Sequence, residues 1–106
     1  MGRRKTGIED FLNRVRRKLK PEKIILFGSR ARGEALEDSD YDLIIVSRVF
    51  ENKSMHERIV EVLRLHEGKV AIEPICLTPE EFERKSREIC IIREAVREGI
   101  DLTKSR

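Results

Sequence analysis

A chain of 106 residues has room for one domain and one core. It is 41% charged, but its 39% of hydrophobic residues fall in periodic blocks, which a disordered chain would not keep. No apolar run nears the roughly 18 residues of a membrane span, and the start, MGRRKTGIEDF, lacks the apolar stretch of a signal peptide, so a single cytoplasmic domain over residues 1–106 is expected.

In chain order the first element is a helix. Thr6 with Glu9 reads as a capping box, a hydroxyl followed three residues later by glutamate, and Ile8, Phe11, Leu12, Val15 and Leu19 then share one face of a 3.6-residue period. Pro21 stops it. Arg3, Arg4, Lys5, Arg14, Arg16, Arg17, Lys18 and Lys20 cluster here, although the net charge is only +3. Such a cluster is either the solvated face of a helix or an attraction for phosphate polymers.

Lys23–Phe27 and Asp42–Ser47 are near-continuous apolar runs, the pattern of strands buried on both faces, with a short helix or loop between them. A second capping box, Ser54 with Glu57, opens a helix whose face is Met55, Ile59, Val62, Leu63 and His66, with Gly68 as its stop. Val70–Leu77 is a third strand; Glu73 and Pro74 make it an edge strand or a bulged one. A third box, Thr78 with Glu81, has Pro79 in the first helical position and starts a helix that runs to Glu98 before Gly99. Whether Ser86 breaks that helix is left open by the sequence. Cys76 and Cys90 show no metal spacing with His56 or His66 and read as reduced residues in or near the core. The two histidines fit surface or helix-end positions. The sum is an α/β (α+β) chain with a short mixed sheet of three to four strands packed with helices.

The stretch with chemistry in it is LFGSRARGEALEDSDYDLIIV, residues 26–46. On a strand, residues two apart share a face, so Asp40 and Asp42 stand side by side while Tyr41 points the other way, into the core. Two carboxylates about 4 Å apart repel by roughly 1 kcal/mol in water and about 4 at the effective dielectric near a protein surface. A divalent cation removes that penalty, and Mg²⁺ accepts one or two carboxylates plus substrate phosphates. The plainer alternative has one acid capping a turn and the other facing solvent. Upstream, Gly28 lets the backbone approach a ligand closely, Ser29 and the turn amides offer an anion nest, and Arg30 and Arg32 add planar forks for phosphate oxygens. No Gly-Lys-Ser/Thr follows, so this is not a P-loop.

The string GSRARGEALEDSDYD, a Gly-Ser pair followed after ten residues by Asp-x-Asp, resembles the signature of the polymerase-beta-type nucleotidyltransferase superfamily. FGSRARG…DSDYDLIIV looks more closely like the minimal nucleotidyltransferases of archaea and bacteria, over about Ile24 to Phe82. The resemblance implies that Gly28 and Ser29 hold a triphosphate and that Asp40, Asp42 and a third carboxylate on a later strand bind one or two Mg²⁺. The third position falls on Glu73, where the family usually has aspartate. The reaction implied is attack of an acceptor hydroxyl on the α-phosphate of ATP or another nucleoside triphosphate, with release of pyrophosphate. Glu73 either shares a metal or takes the acceptor's proton.

The sequence runs about twenty residues past this core, so no second domain is expected to close over an acceptor. Minimal nucleotidyltransferases are typically paired with a helical HEPN toxin, a ribonuclease, and as antitoxins transfer AMP to one of its tyrosines; the resemblance implies the same here. Ile89, Cys90, Ile91 and Ile92 are apolar all round a helix, a surplus that a partner, a self-dimer or the domain itself can cover. Two other classes stay open. One is a binding-only antitoxin with a weakened nucleotide site, favoured by the Glu73 departure. The other is a small RNA-modifying enzyme using the basic helix, disfavoured by four Phe, one Tyr and no Trp for stacking bases.

Overall fold

Period-two alternation along the apolar runs decides the layers. The computed structural model describes residues 8–33, 40–68, 71–88 and 90–104. In order these form α1 (Glu9–Leu19), β1 (Lys23–Phe27), α2 (Ser29–Arg32), β2 (Tyr41–Val46), a 3-10 turn (Arg48–Phe50), α3 (Met55–Leu63), β3 (Ile72–Leu77), α4 (Pro79–Glu88), α5 (Cys90–Glu98) and β4 (Ile100–Asp101). The strands make one mixed sheet in the order β3-β2-β1-β4, with β1 antiparallel to both β2 and β4 and β2 parallel to β3. The expected α+β class with a short mixed sheet is what forms, and Glu73 and Pro74 do lie on an edge strand. No helix among the described residues is long and apolar enough to cross a membrane.

Alternate residues of β2 go to opposite layers. Tyr41, Leu43 and Ile45 join Ile24 and Leu26 of β1 beneath α1 and α3, where Phe11, Val15, Phe50 and Val62 are almost fully buried. Ile44 and Val46 join Ile25, Leu77, Ile92 and Ala95 beneath α4 and α5. Each fully buried aliphatic or aromatic side chain contributes about 2 kcal/mol of transfer free energy, so a slip of one residue in β2 would exchange both cores at once. Asp42 has the parity of Ile44 and Val46 and therefore faces the α4–α5 side, while Tyr41 is in the opposite core, as its position between the acids required.

Several boundaries differ from the expectation, each for a local reason. The helix α1 starts at Glu9 with Ile8 in the flanking position and no side chain capping it; Thr6 lies outside the described residues, as do Val70, Ile89 and the side chain of Cys90. It ends where Lys20 turns left-handed (φ 44°) ahead of Pro21. Ser47 is not in β2: its hydroxyl donates to the Leu19 carbonyl at 2.6 Å and accepts from the Val49 amide, opening the 3-10 turn. Both capping boxes among the described residues are present, Ser54 with Glu57 and Thr78 with Glu81. Yet α3 stops at Leu63, short of Gly68, and Met55 and Leu63 are exposed while Arg58 is buried. The final helical stretch is described as α4 and α5, with residue 89 between them outside the described residues, and the chain then adds β4, which the sequence did not signal. Gly99 permits that entry, since a side chain there would strike the Ala95 and Leu26 carbonyls.

Two arginines of the basic cluster are structural. Arg14 donates to the Leu65 carbonyl, and Arg16 to the carbonyls of Leu102 and Thr103, strapping the segment after β4 to α1. His66 stacks edge-on against Phe11, a helix-end role as expected.

Buried Arg58 joins three elements. It donates to the carbonyls of Lys53 and Cys76 and, through both terminal nitrogens, to the carboxylate of Glu81 at 2.7 and 3.2 Å. Arg58 holds the Glu81 carboxyl down to about 2, from an ordinary 4.5. A lowered folded-state pKa stabilises the fold above the unfolded value and loses that stabilisation as pH falls from about 4.5 to about 2. Glu81→Gln should lower stability by about 2 kcal/mol at neutral pH and flatten the acid limb below pH 4.5 in urea unfolding; an unchanged limb would place the acid sensitivity elsewhere.

Candidate active site

Three neighbouring strands end in register at Phe27, Asp42 and Glu73. The parallel pairing of β2 with β3 sets Glu73 beside Asp42, and the Tyr41 amide donating to the Ala71 carbonyl fixes that register at its open end. Asp40 precedes β2 by one residue. Glu73 is exposed, and its carboxyl is raised above the usual range, first by a hydrogen bond and charge repulsion from Asp40 and then by the same from Asp42. The three acids singled out by sequence are thus within electrostatic reach of one another.

On the other side of Asp42 lies the turn. Gly28 has φ +78°, a left-handed conformation that glycine adopts without penalty, and a Cβ built on it would stand 2.5 Å from Asp42 Oδ2. Glycine is required here twice over, by backbone angle and by space. Its carbonyl accepts the amides of Ala31 and Arg32 at 3.1 and 3.2 Å, winding the single turn of α2. Ser29 opens α2, and its hydroxyl lies outside what the structure describes. Arg32 is exposed and lines the same cavity as Gly28 and Asp42. Arg30 differs from its expectation: its guanidinium carbon sits 4.1 Å from the ring centre of Tyr41, on the α1 side of the sheet.

Between α2 and α5, a cavity of about 260 Å³ opens on Asp42. Its walls are Phe27, Ala31 and Arg32 on one side and Ile91, Glu94, Ala95 and Glu98 on the other. Of these α5 residues, the sequence singled out only Ile91, as part of an apolar surplus and not as a wall of the site. Their four-residue spacing from 91 to 95 and from 94 to 98 marks one helical face, but nothing local says that it borders the acids.

Among the described residues, Asp40, Asp42 and Glu73 included, no three acidic, histidine or cysteine side chains stand close enough together to form a metal-binding group. Carboxylate oxygens are nonetheless the donor type that Mg²⁺ accepts one or two at a time, with waters and substrate oxygens completing its octahedron, and Gly28 leaves open the space that a Cβ would fill against Asp42.

This chain belongs to the nucleotidyltransferase domain family, whose model matches residues 8–98. A Methanocaldococcus jannaschii protein named "Putative protein adenylyltransferase MJ1305" is 31% identical over 87 residues, 74% of this chain and 58% of that protein. The chain spans about half the length of the curated relatives it matches. A crystal structure of a "putative nucleotidyltransferase" from Sulfolobus solfataricus superposes with a TM-score of 0.56 at 28% identity, over 79% of this chain and 84% of that one. BolA1 from Arabidopsis thaliana gives a TM-score of 0.58 at 19% identity, over 74% of this chain and 98% of that one, a likeness of fold alone.

The carboxylate geometry yields a direct check. In the absence of cations, Asp40→Asn should return the Glu73 carboxyl toward its ordinary 4.5, with Asp42→Asn doing so less fully, as followed by carboxyl ¹³C NMR against pH. A Glu73 titration indifferent to both substitutions would mean that the acids do not face one another.

Proposed function

We propose that this chain is a Mg²⁺-dependent nucleotidyltransferase that moves a nucleoside monophosphate, AMP from ATP, onto a hydroxyl acceptor. The acceptor is a tyrosine of a helical HEPN-type partner, which the chain thereby neutralises as an antitoxin. The observation that carries the proposal is the placement of the Gly28 turn and Glu73 on opposite sides of Asp42, on the two strands flanking β2.

That placement supports a reading in which nucleotide and acceptor approach from opposite sides of Asp42. Arg32 and the turn after Gly28 are on the β1 side, suited to a triphosphate, and Glu73 is on the β3 side, suited to an incoming hydroxyl. The acceptor oxygen forms a bond to the α-phosphorus, the bond to the bridging oxygen breaks, and pyrophosphate leaves. Asp40 and Asp42 would hold Mg²⁺, which when bound polarises phosphoryl oxygens and offsets charge on the leaving group; Glu73 either shares the metal or takes the acceptor's proton. The cavity beside Asp42 is smaller than the roughly 300–1,000 Å³ of a drug-sized pocket, a size for a base or ribose rather than a whole nucleotide.

The name of the Methanocaldococcus jannaschii relative supports AMP as the group moved and a protein as its acceptor. A partner surface is supported by Ile91, Val96 and Ile100, exposed by 58%, 44% and 44% along α5 and β4, a surplus that a HEPN-type helix or a second copy would cover.

The test uses ATP labelled at the α-phosphate, Mg²⁺ and an extract of the source cell. Label should reach a protein band with the native chain and not with Asp40→Asn/Asp42→Asn, whose fold should be unchanged. Label on RNA would overturn the protein acceptor, and none on any molecule would overturn transfer itself.

A further inference from the structure

We propose that Arg30 and Tyr41 form a positioning pair that sets the distance between the phosphate turn and the acid pair. The proposal rests on the nucleotide-binding role argued above and adds to it what holds the two halves of the site in place. Arg30 sits in α2, two residues after Gly28; Tyr41 is the residue between Asp40 and Asp42. Its ring is 4% exposed in the α1–α3 core, and the Arg30 guanidinium carbon lies 4.1 Å from the ring centre. A cation held over the face of a largely desolvated ring is in the favourable range of such contacts.

The stack matters because the gap it controls is narrow. With Gly28 so near Asp42 Oδ2 that no Cβ fits, a small outward swing of α2 would part the turn amides and Arg32 from the acids. Tyr41 cannot follow, because its ring is embedded in the core and its amide is tied to Ala71. Contact with Tyr41 therefore anchors α2 to the strand that carries the acids, from the face of the sheet opposite the substrate. Arg30 contributes to phosphate binding through position, while Arg32 is the arginine that meets it.

The experiment is a double-mutant cycle with Arg30→Met, Tyr41→Leu and both together, with Tyr41→Phe as the conservative control. Two readouts are taken: amide hydrogen exchange at Ala31 and Arg32, and the Kd for ATP with Mg²⁺. Both single variants should speed exchange at these amides and weaken ATP binding, each on the order of tenfold. The double variant should be no worse than either, and Tyr41→Phe, which keeps the ring, should match the native chain. Arg30→Met alters a half-exposed side chain outside the core, so it reports even if Tyr41→Leu unfolds. Unchanged exchange in Arg30→Met overturns the pair. So does weakened ATP binding in Arg30→Met that multiplies with a separate loss in Tyr41→Leu, the signature of Arg30 touching phosphate itself. If the native chain fails to bind ATP the nucleotide-binding role falls, and the exchange data still decide whether the stack anchors α2.

Discussion

Three carboxylates at the end of one sheet repel one another, and most of the site can be understood from how the fold tolerates this. The register of β2 with β3 places Glu73 next to Asp42, and Asp40 stands one residue upstream of β2. Protonation of Glu73, which the repulsion promotes, is one form of relief. The divalent cation proposed above would be the stronger one, since it would remove the repulsion and leave the acids ionised.

Rigid supports surround this strained end. Hydrophobic layers clamp the strands on both faces, and Arg58 joins α3, β3 and the start of α4 through four hydrogen bonds to Lys53, Cys76 and Glu81. On the far side, β4 pairs with β1 and Arg16 grips the carbonyls that follow it, so the strand leading into Gly28 is held from both edges. The likeness to BolA1 is one of fold, and a fold does not by itself define a chemistry; side chains grafted on it do. In the function proposed above those are the acids, Gly28 and Arg32 at the open end.

Much of this was legible in the sequence because it is governed locally. Near-continuous apolar runs placed β1 and β2, capping boxes placed the starts of α3 and α4, and the spacing from Gly28 to Asp42 pointed to the family. What was not legible depends on tertiary partners. Arg58 is a charged residue at the i+3 position between Met55 and Val62, on the apolar side of the helical period, and it is buried because Glu81 and two carbonyls are there to meet it. β4 is two residues long, too short for a periodic signal, and exists through its pairing with Leu26 and Ile25. Arg30 carries a charge that suits phosphate, and only the placement of the Tyr41 ring shows another use for it.

The central claim is that the acids hold a divalent cation together with a nucleotide. Mn²⁺ binding followed by electron paramagnetic resonance, with and without a non-hydrolysable ATP analogue, addresses it most directly. The account predicts that free Mn²⁺ falls when native chain and analogue are both present, and that Asp42→Asn abolishes the effect. Equal Mn²⁺ uptake by the native chain and Asp42→Asn, or none by either, would contradict it.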